Sequence, residues 1–219
     1  MNWLVTAGPT REPIDPVRFV SNRSSGKMGF AVAQAAAERG DSVTLVAGPV
    51  TLATPPGPIR RIDVVTADDM LAVVSRELPS SDVFVMAAAV ADWRPASVSP
   101  LKLKKRDGPP AFSWVATPDI LRSVARFKRA NQLFCGFAAE TNDVRANARA
   151  KLRAKSLDAI AANDVSREGC GFATDSNALT LFLSDGSVFE CPLSSKLDCA
   201  RFLVERLAKL FRAFSSLGD

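Results

Sequence analysis

Immediately before an alanine-rich segment that predicts a helix stand four residues with anion-binding groups: Ser24, Ser25, Gly26 and Lys27. They offer hydroxyl, backbone amide and ammonium groups. The N–H groups and dipole of a helix N-terminus favour a bound anion, and hydroxyls add donors. This phosphate loop therefore predicts a phosphate site, although a polar helix cap after a long loop would use the same residue types. Both standard fingerprints fail: the GxGxxG glycines are missing, and Ser21 and Met28 break a GxxxxGK[ST] loop.

A carboxylate and a group of cations follow the most apolar predicted strand, residues 83–89. Asp92 lies just past its carboxyl end, where open α/β sheets place functional groups; a strand cap paired with Arg94 is the alternative. Residues 92–110, here called the flap, are rich in Pro and Lys without periodicity, so we expect a mobile lid. The flap lysines, Lys102 among them, could neutralise a polyphosphate, but a charge run is more often a solvated surface.

The 219 residues contain no histidine and no tyrosine. This excludes Ser-His-Asp and Cys-His nucleophiles, His-ligated metals and a Tyr-Lys reductase pair. The four cysteines form no CxxC pair, which indicates reduced structural thiols, and we predict no metal ligands in the chain. Chemistry must then rest on positioning, Lys and Arg charges, amides, carboxylates and a metal held by phosphates, which suits phosphoryl or nucleotidyl transfer.

Composition indicates an ordinary globular protein: 47% of residues are apolar, 23% are charged and the net charge is +5. That charge is too small to argue for nucleic-acid binding. The chain starts without a charged n-region, and its longest apolar run is far short of a membrane span. We therefore expect a cytoplasmic protein without membrane or nucleic-acid partners, folded as one domain over residues 1–219.

Alternating apolar runs and helical patterns predict an α/β fold: a Rossmann-like, doubly wound, mainly parallel sheet with a late antiparallel hairpin and a C-terminal helix. The first half predicts strands over 3–8, 42–48, 59–65 and 83–89, with helices over 29–39 and 67–78. The second half predicts strands over 112–115, 133–138 and 159–162, a helix opening at 117–119, a helix over 144–155, a hairpin of 178–183 with 188–192, and a helix over 194–215.

Six segments, in this order, carry a resemblance to a known family: TAGPTREPIDPVRFVSNRSSGKMG, AAAVADWRP, KLKK, TPDIL, GFAAET and KLRAKSLDAIAAND. From residue 3 to about 193 the chain resembles phosphopantothenate–cysteine ligase. In many bacteria this ligase is the C-terminal half of a bifunctional coenzyme A biosynthesis protein whose other half is a flavin-dependent decarboxylase. The 219 residues hold no such half, and a stand-alone enzyme and an excised domain both remain open.

The resemblance implies a two-step ligation in a homodimer. CTP, with Mg²⁺, activates the carboxylate of 4′-phosphopantothenate to an acyl-cytidylate, and the amine of L-cysteine then displaces CMP. Relatives in other organisms use ATP. We expect CTP here because the KLKK and SNRSSGKMG motifs resemble those of bacterial members of the family.

The resemblance also implies site residues. Asn22 and Lys102 are the expected catalytic residues; Asn22 would contact the acyl group, and Ala89 would offer its backbone amide. Arg18 would reach into the neighbouring subunit's site. The nucleotide would be bound by Met86, Asp92, Lys102, Pro118, Asp119, Ile120, Leu121, Phe137, Lys151 and Lys155. Position 86 is often Gly in relatives, so only a backbone contact is expected there.

Two other functions stay open: a pyridine-nucleotide oxidoreductase or sensor on the same fold, and a basic RNA-binding module. The missing GxGxxG and Tyr count against the first. Scattered tryptophans without basic–aromatic interleaving count against the second.

Overall fold

The computed structural model describes residues 1–108, 110–164, 166–167, 170–171 and 174–215. Its strands are β1 (Asn2–Ala7), β2 (Arg11–Pro13), β3 (Phe19–Ser21), β4 (Ser42–Ala47), β5 (Ile59–Asp63), β6 (Val83–Met86), β7 (Trp93–Pro95), β8 (Trp114–Ala116), β9 (Leu133–Glu140), β10 (Ala159–Asp164), β11 (Ser176–Leu183) and β12 (Val188–Ser195). Its α-helices are α1 (Lys27–Glu38), α2 (Ala67–Glu77), α3 (Ile120–Ala125), α4 (Val144–Ala154) and α5 (Lys196–Ser215).

The main sheet has the strand order β12-β11-β10-β9-β6-β1-β4-β5. Its strands run parallel from β5 to β10, and β11 and β12 add an antiparallel hairpin at one edge. The predicted α/β class, with its late hairpin and C-terminal helix, is confirmed. Two short sheets, β2–β3 and β7–β8, lie apart from the main sheet.

Helices cover both faces of the main sheet because its strands are apolar on both sides. Trp3, Val5 and Ala7 of β1 face α1 and α5, whereas Leu4 packs in the second core, with α2, α3 and α4. A Cβ on Gly29 of α1 would lie 2.5 Å from the Ala7 Cβ, so only glycine lets α1 approach β1 this closely. Within the described parts of the chain, none of the helices combines the length and apolarity needed to cross a bilayer.

Predicted strand ends differ from those in the structure by up to three residues; the strand predicted over 188–192, for example, continues to Ser195 as β12. β6 ends at Met86, three residues early, because the Ala88 N–H donates to Thr6 Oγ1 and breaks the ladder. Beyond this break Ala89 pairs with Pro9 only as an isolated parallel bridge, in which the Ala89 N–H donates to Gly8 O. The strand predicted over 112–115 lies at Trp114–Ala116 and pairs with β7 outside the main sheet. The loop expected before α1 contains β2 and β3, which are too short to show a period.

The flap begins as regular structure. β7 pairs with β8, and the Ala96 N–H donates to Ser113 O at 2.8 Å. Residues 105–107 form one turn of 3₁₀-helix. Pro109, which belongs to the predicted flap, lies outside the described residues. The lack of structure expected from residue 92 onward is therefore wrong at the base of the flap, and its mobility stays a prediction.

Candidate functional site

The phosphate loop turns sharply at the carboxyl end of β1, so that the first turn of α1 lines a cavity. Gly26 takes the N-cap position of α1 with φ 79°, in the left-handed region that favours glycine. A Cβ there would come within 3.0 Å of the Val50 side chain and 3.3 Å of Gly8 Cα. Ser24 Oγ accepts the Gly26 N–H at 3.3 Å, which holds the turn closed. A helix N-terminus in this geometry is compatible with the predicted anion site, which stays a prediction.

A first cavity of about 330 Å³ opens beside the phosphate loop. Eight of the predicted site residues line it: Ser24, Ser25, Gly26, Lys27, Ala89, Asp92, Phe137 and Lys151. Ala89 and Asp92 follow β6, Phe137 lies in β9, Lys151 lies on α4, and the phosphate loop leads into α1. Residues distant in sequence therefore meet at one edge, as expected for an open parallel sheet.

A second cavity of about 200 Å³ adjoins the first. The predicted nucleotide-binding residues on its lining are Met86, Asp92, Pro118, Asp119, Ile120, Leu121, Phe137 and Lys155. Asp92 and Phe137 border both cavities, which makes them one continuous surface. Met86 is 8% exposed and its Sδ accepts the Thr6 hydroxyl at 3.1 Å, so this side chain is held inward.

The two predicted lysines of α4 and its C-terminus are each paired with a carboxylate. Lys151 Nζ lies 2.6 Å from Glu140 Oε1, and Lys155 Nζ lies 3.2 Å from Asp119 Oδ1. Asp119 also caps α3 by accepting the Arg122 N–H at 3.2 Å. These pairs are solvent-screened, and a nucleotide phosphate or base would compete with the carboxylates for the ammonium groups.

A second pair of lysines, Lys27 and Lys196, also lines the first cavity. Lys27 Nζ is 2.6 Å from Asp175 Oδ1, and this bond lowers the pKa of Asp175. Lys196, only 7% exposed, donates to Gly171 O at 3.1 Å and to Thr174 O at 2.5 Å. Burial, together with the charge of Lys27, lowers the pKa of Lys196. This part of the lining is cationic, in keeping with an anionic ligand.

Sequence reasoning did not assign three polar residues of the first cavity: Asn163, Asn177 and Lys196. Asn163 belongs to KLRAKSLDAIAAND, a segment in which only the lysines received a role. Lys196 carried a signal, because a cation in the first turn opposes the helix dipole and therefore needs another reason to be there. Asn177, on an edge hairpin, carried none.

Asn22 and Ala89 are joined to each other in the structure. Asn22 Nδ2 donates to Ala89 O at 3.1 Å and to Val90 O at 2.9 Å. The Ala89 N–H donates to Gly8 O at 2.9 Å. The amide donors expected to contact substrate are thus bonded within the chain, and their use by a ligand would require these bonds to exchange.

Two predicted cations, Lys102 on the flap and Arg18 in the turn between β2 and β3, lie outside the two cavities. Neither Lys102 nor Arg18, both in described segments, is among the lining residues of either cavity. Lys102 is exposed on the flap. Arg18 is 45% exposed and pairs with the buried carboxylate of Asp15 at 2.6 Å. The structure therefore groups most of the predicted binding residues and sets Arg18 and Lys102 apart. Asn22, although bonded to Ala89, likewise lines neither of these two cavities.

An open, mainly parallel sheet with helices on both faces and joined cavities at its carboxyl edge defines a Rossmann-like α/β protein. The chain belongs to the DNA/pantothenate metabolism flavoprotein C-terminal domain family, which matches residues 1–211. The resemblance drawn from the six sequence motifs is thereby confirmed.

Curated relatives agree. The coenzyme A biosynthesis bifunctional protein CoaBC of Escherichia coli (strain K12) is 49% identical over 210 residues, which make up 94% of this chain and 51% of that protein. CoaBC of Bacillus subtilis (strain 168) is 46% identical over 207 residues, with the same two shares of 94% and 51%. The chain thus spans about half the length of the curated relatives it matches.

Solved structures share the fold along nearly the whole chain. The crystal structure of the C-terminal domain of CoaBC is 39% identical, has a TM-score of 0.82, and is matched over 97% of this chain and 96% of that one. A Cab2 mutant in complex with phosphopantothenate-cysteine is 14% identical, with a TM-score of 0.79 over 99% of this chain and 88% of that one. At that identity the second likeness concerns the fold alone.

Proposed function

We propose that this chain is a CTP-dependent phosphopantothenate–cysteine ligase, acting in the cytoplasm in coenzyme A biosynthesis. It would join 4′-phosphopantothenate to L-cysteine through an acyl-cytidylate and release pyrophosphate and CMP. Family membership and the names of the curated relatives support the pathway. The substrates, the nucleotide and the oligomeric state are our inference.

One observation carries the proposal: residues from five of the six motifs meet on two adjoining cavities. The phosphate loop, the AAAVAD segment, TPDIL, GFAAET and KLRAKSLDAIAAND all contribute lining residues. A joined surface with an anion-binding turn in one part and a partly apolar recess in the other fits a substrate that carries phosphates and a base. The remaining motif, KLKK, lies on the flap and contributes no residue to the lining of either cavity.

The first step needs no protein nucleophile. A carboxylate oxygen of 4′-phosphopantothenate attacks the α-phosphorus of CTP, a new O–P bond forms, and pyrophosphate leaves with the electrons of the broken bond. The chain's residues would align the two substrates and neutralise charge on the phosphates, tasks for which Lys27, Lys102 and the helix N-terminus are suited. A chain without histidine can perform this chemistry.

The second step develops charge on the acyl oxygen. The amine of cysteine attacks the acyl carbon, the C–O bond to cytidylate breaks, and CMP leaves while the amine loses a proton. The Asn22 amide is a neutral donor next to Ala89 and Val90, and it could stabilise the tetrahedral oxyanion after exchanging one of its bonds to their carbonyls.

Magnesium is proposed to arrive on the triphosphate. Among the residues that the structure describes, no group of three Cys, Asp or Glu side chains is arranged to hold a metal ion. Asp92, exposed where both cavities meet, is the carboxylate that a phosphate-bound ion would approach. The ion would supply charge neutralisation, with the phosphates as its main ligands.

A homodimer is proposed on the face of the two small sheets. β2 and β7 contact each other, and exposed apolar side chains gather on these sheets and on the flap. They are Val17, Phe19, Trp93, Val98, Leu101, Trp114 and Val115. Exposed apolar groups of this number are typical of an interface between proteins. Arg18 stands between Val17 and Phe19 in the sequence, so a partner bound to this face would also meet Arg18.

The test is pyrophosphate and CMP release by the purified chain with Mg²⁺, CTP, 4′-phosphopantothenate and cysteine, repeated with ATP. If no pyrophosphate is released with either CTP or ATP, the ligase proposal is refuted. Calorimetric titration with CTP, ATP, NADPH and an RNA oligomer separates the ligase from an oxidoreductase and from an RNA-binding module. Binding of NADPH or RNA alone would favour those alternatives.

A further inference from the structure

A single buried carboxylate joins the flap to the turn between β2 and β3. Asp15, in that turn, is 3% exposed. Its Oδ1 accepts the N–H groups of Val17 and Arg18, each at 2.9 Å. Its Oδ2 accepts Arg18 Nε at 3.0 Å, Arg18 Nη2 at 2.6 Å and the Leu103 N–H at 3.1 Å. Four of these donors are local, and the fifth comes from the middle of the flap.

The same junction holds the flap through two further bonds. Arg18 Nη2 donates to Leu103 O at 2.9 Å, and the Ser99 N–H donates to Ile14 O at 2.9 Å. Both backbone groups of Leu103 are therefore bound by the Asp15–Arg18 pair. Leu103 lies between Lys102 and Lys104 in KLKK, so its fixed backbone determines where the flanking lysine side chains begin.

The junction requires an ionised carboxylate. Five donors converge on two oxygens, and an ionised carboxylate is a side chain that only accepts hydrogen bonds. The Arg18 guanidinium holds the pKa of Asp15 well below its usual range, so the group stays charged. Burying a charge is unfavourable unless it is paired and fully hydrogen-bonded, as it is here. An asparagine would direct its NH₂ group toward at least one donor.

We propose that Asp15 is a positioning residue that docks the flap on the β2–β3 turn, setting both the approach of Lys102 to the nucleotide phosphates and the direction of the Arg18 side chain. Docking is independent of the proposed function, whereas the effect on Lys102 rests on it. Asp15 itself lines neither of the described cavities and acts through its neighbours.

Limited trypsin digestion of the native chain, with flap cleavage sites identified by mass spectrometry, tests docking without any substrate. Asp15→Asn should raise the rate of cleavage after Lys104 and Lys105 by about tenfold, because proteolysis follows the population of the open flap and charged hydrogen bonds are lost. Asp41→Asn is the matched control. Asp41 is also buried, and it binds Arg39 Nε at 3.2 Å and Trp3 Nε1 at 3.1 Å at the other edge of the sheet.

A second variant leaves Asp15 in place. Leu103→Pro removes the flap's N–H donor to Asp15 from the other side of the junction, on an exposed segment, and should also raise cleavage after Lys104 and Lys105. If both variants are cleaved at the wild-type rate, docking by Asp15 is wrong. If Asp41→Asn raises flap cleavage equally, the effect is general destabilisation and the proposal is also wrong.

Steady-state kinetics then tests positioning. In Asp15→Asn, kcat/KM for CTP should fall about tenfold while the Asp41→Asn enzyme keeps its value, because only the former displaces Lys102. Faster flap cleavage with unchanged kinetics would overturn the role in positioning Lys102. Absence of turnover in the wild-type chain would count against the proposed function, and the digestion result would still decide the docking.

Discussion

The joined cavities and the two small sheets position their predicted site residues in different ways. Around the cavities, predicted binding residues follow buried strands: Phe137 lies in β9, and Lys151 lies on a helix packed against the main sheet. Beside the small sheets, Arg18 lies in the turn that leads into the three-residue strand β3, and Lys102 lies on a long exposed flap. Their position depends on hydrogen bonds to Asp15.

We propose that this difference separates binding from catalysis. The core of one chain is enough to form the cavity residues, which can contact a substrate in its ground state. On the proposed function, Lys102 and Arg18 would reach the cavities through movement of the flap or through a second subunit. Substitutions in the cavities should therefore raise KM, whereas substitutions in the small-sheet region should lower the rate of the chemical steps.

The largest effect is expected from Lys102→Ala. Pyrophosphate release should slow by about 100-fold, the cost of removing one charge-stabilising donor. Lys105→Ala, on the same flap, should stay within about threefold of wild type, and Lys151→Ala should mainly raise KM for CTP. Steady-state kinetics of the three variants checks this. Equal losses in Lys102→Ala and Lys105→Ala would show that the flap contributes only general positive charge.

Asn22→Ala should affect the second half-reaction more than the first. Charge on the acyl oxygen develops fully only when cysteine attacks, so product formation should slow by about 100-fold while single-turnover pyrophosphate release changes little. Rapid-quench measurement of both products, with a melting curve, checks this. Because Asn22 also binds the Ala89 and Val90 carbonyls, a structural role would instead depress both steps equally and lower the melting temperature.

Mixing Arg18→Ala with Lys102→Ala protein tests whether the small-sheet region is completed by a partner. After subunit exchange, about a quarter of the wild-type activity should return, because half of the dimers are mixed and each mixed dimer has one intact site. Exchange is verified with differently tagged subunits. No recovery would place Arg18 in the site of its own subunit.

The smallest expected change is in hydrogen exchange. With CTP bound, amides of residues 96–106 should become more protected, since a charged flap closes over phosphates, while β1 and β6 should change little. The comparison is made with CTP alone, so that no turnover occurs. Equal protection of the flap with and without CTP would contradict its role as a lid.

Elements of regular period could be predicted from sequence, and those without it could not. Alternating and helical apolar patterns predicted the strands and helices of the main sheet to within a few residues. Three-residue strands such as β2 and β7 have no measurable period, and the alanines after β6 look like more strand. The Ala88 and Ala89 N–H groups bind Thr6 and Gly8, which are tertiary contacts that no local sequence pattern contains.

The site was predictable where motifs are contiguous and unpredictable where the chain returns from a distance. Phosphate-loop residues and residues of TPDIL line the two cavities, and their roles in binding stay predictions. Lys196 and Asn177 reach the first cavity from the C-terminal hairpin and helix, beyond most of the motifs. Asp15 stood inside the longest motif, yet its bond to Leu103 depends on how the flap folds back.

The most direct test of the account follows oxygen from the substrate carboxylate. 4′-Phosphopantothenate labelled with ¹⁸O in both carboxylate oxygens is converted with CTP, Mg²⁺ and cysteine, and the products are analysed by mass spectrometry. Attack on the α-phosphorus predicts one ¹⁸O atom in each CMP, one in the new amide and none in pyrophosphate. Unlabelled CMP, or label in a released phosphate, would contradict the acyl-cytidylate and with it the proposed ligase.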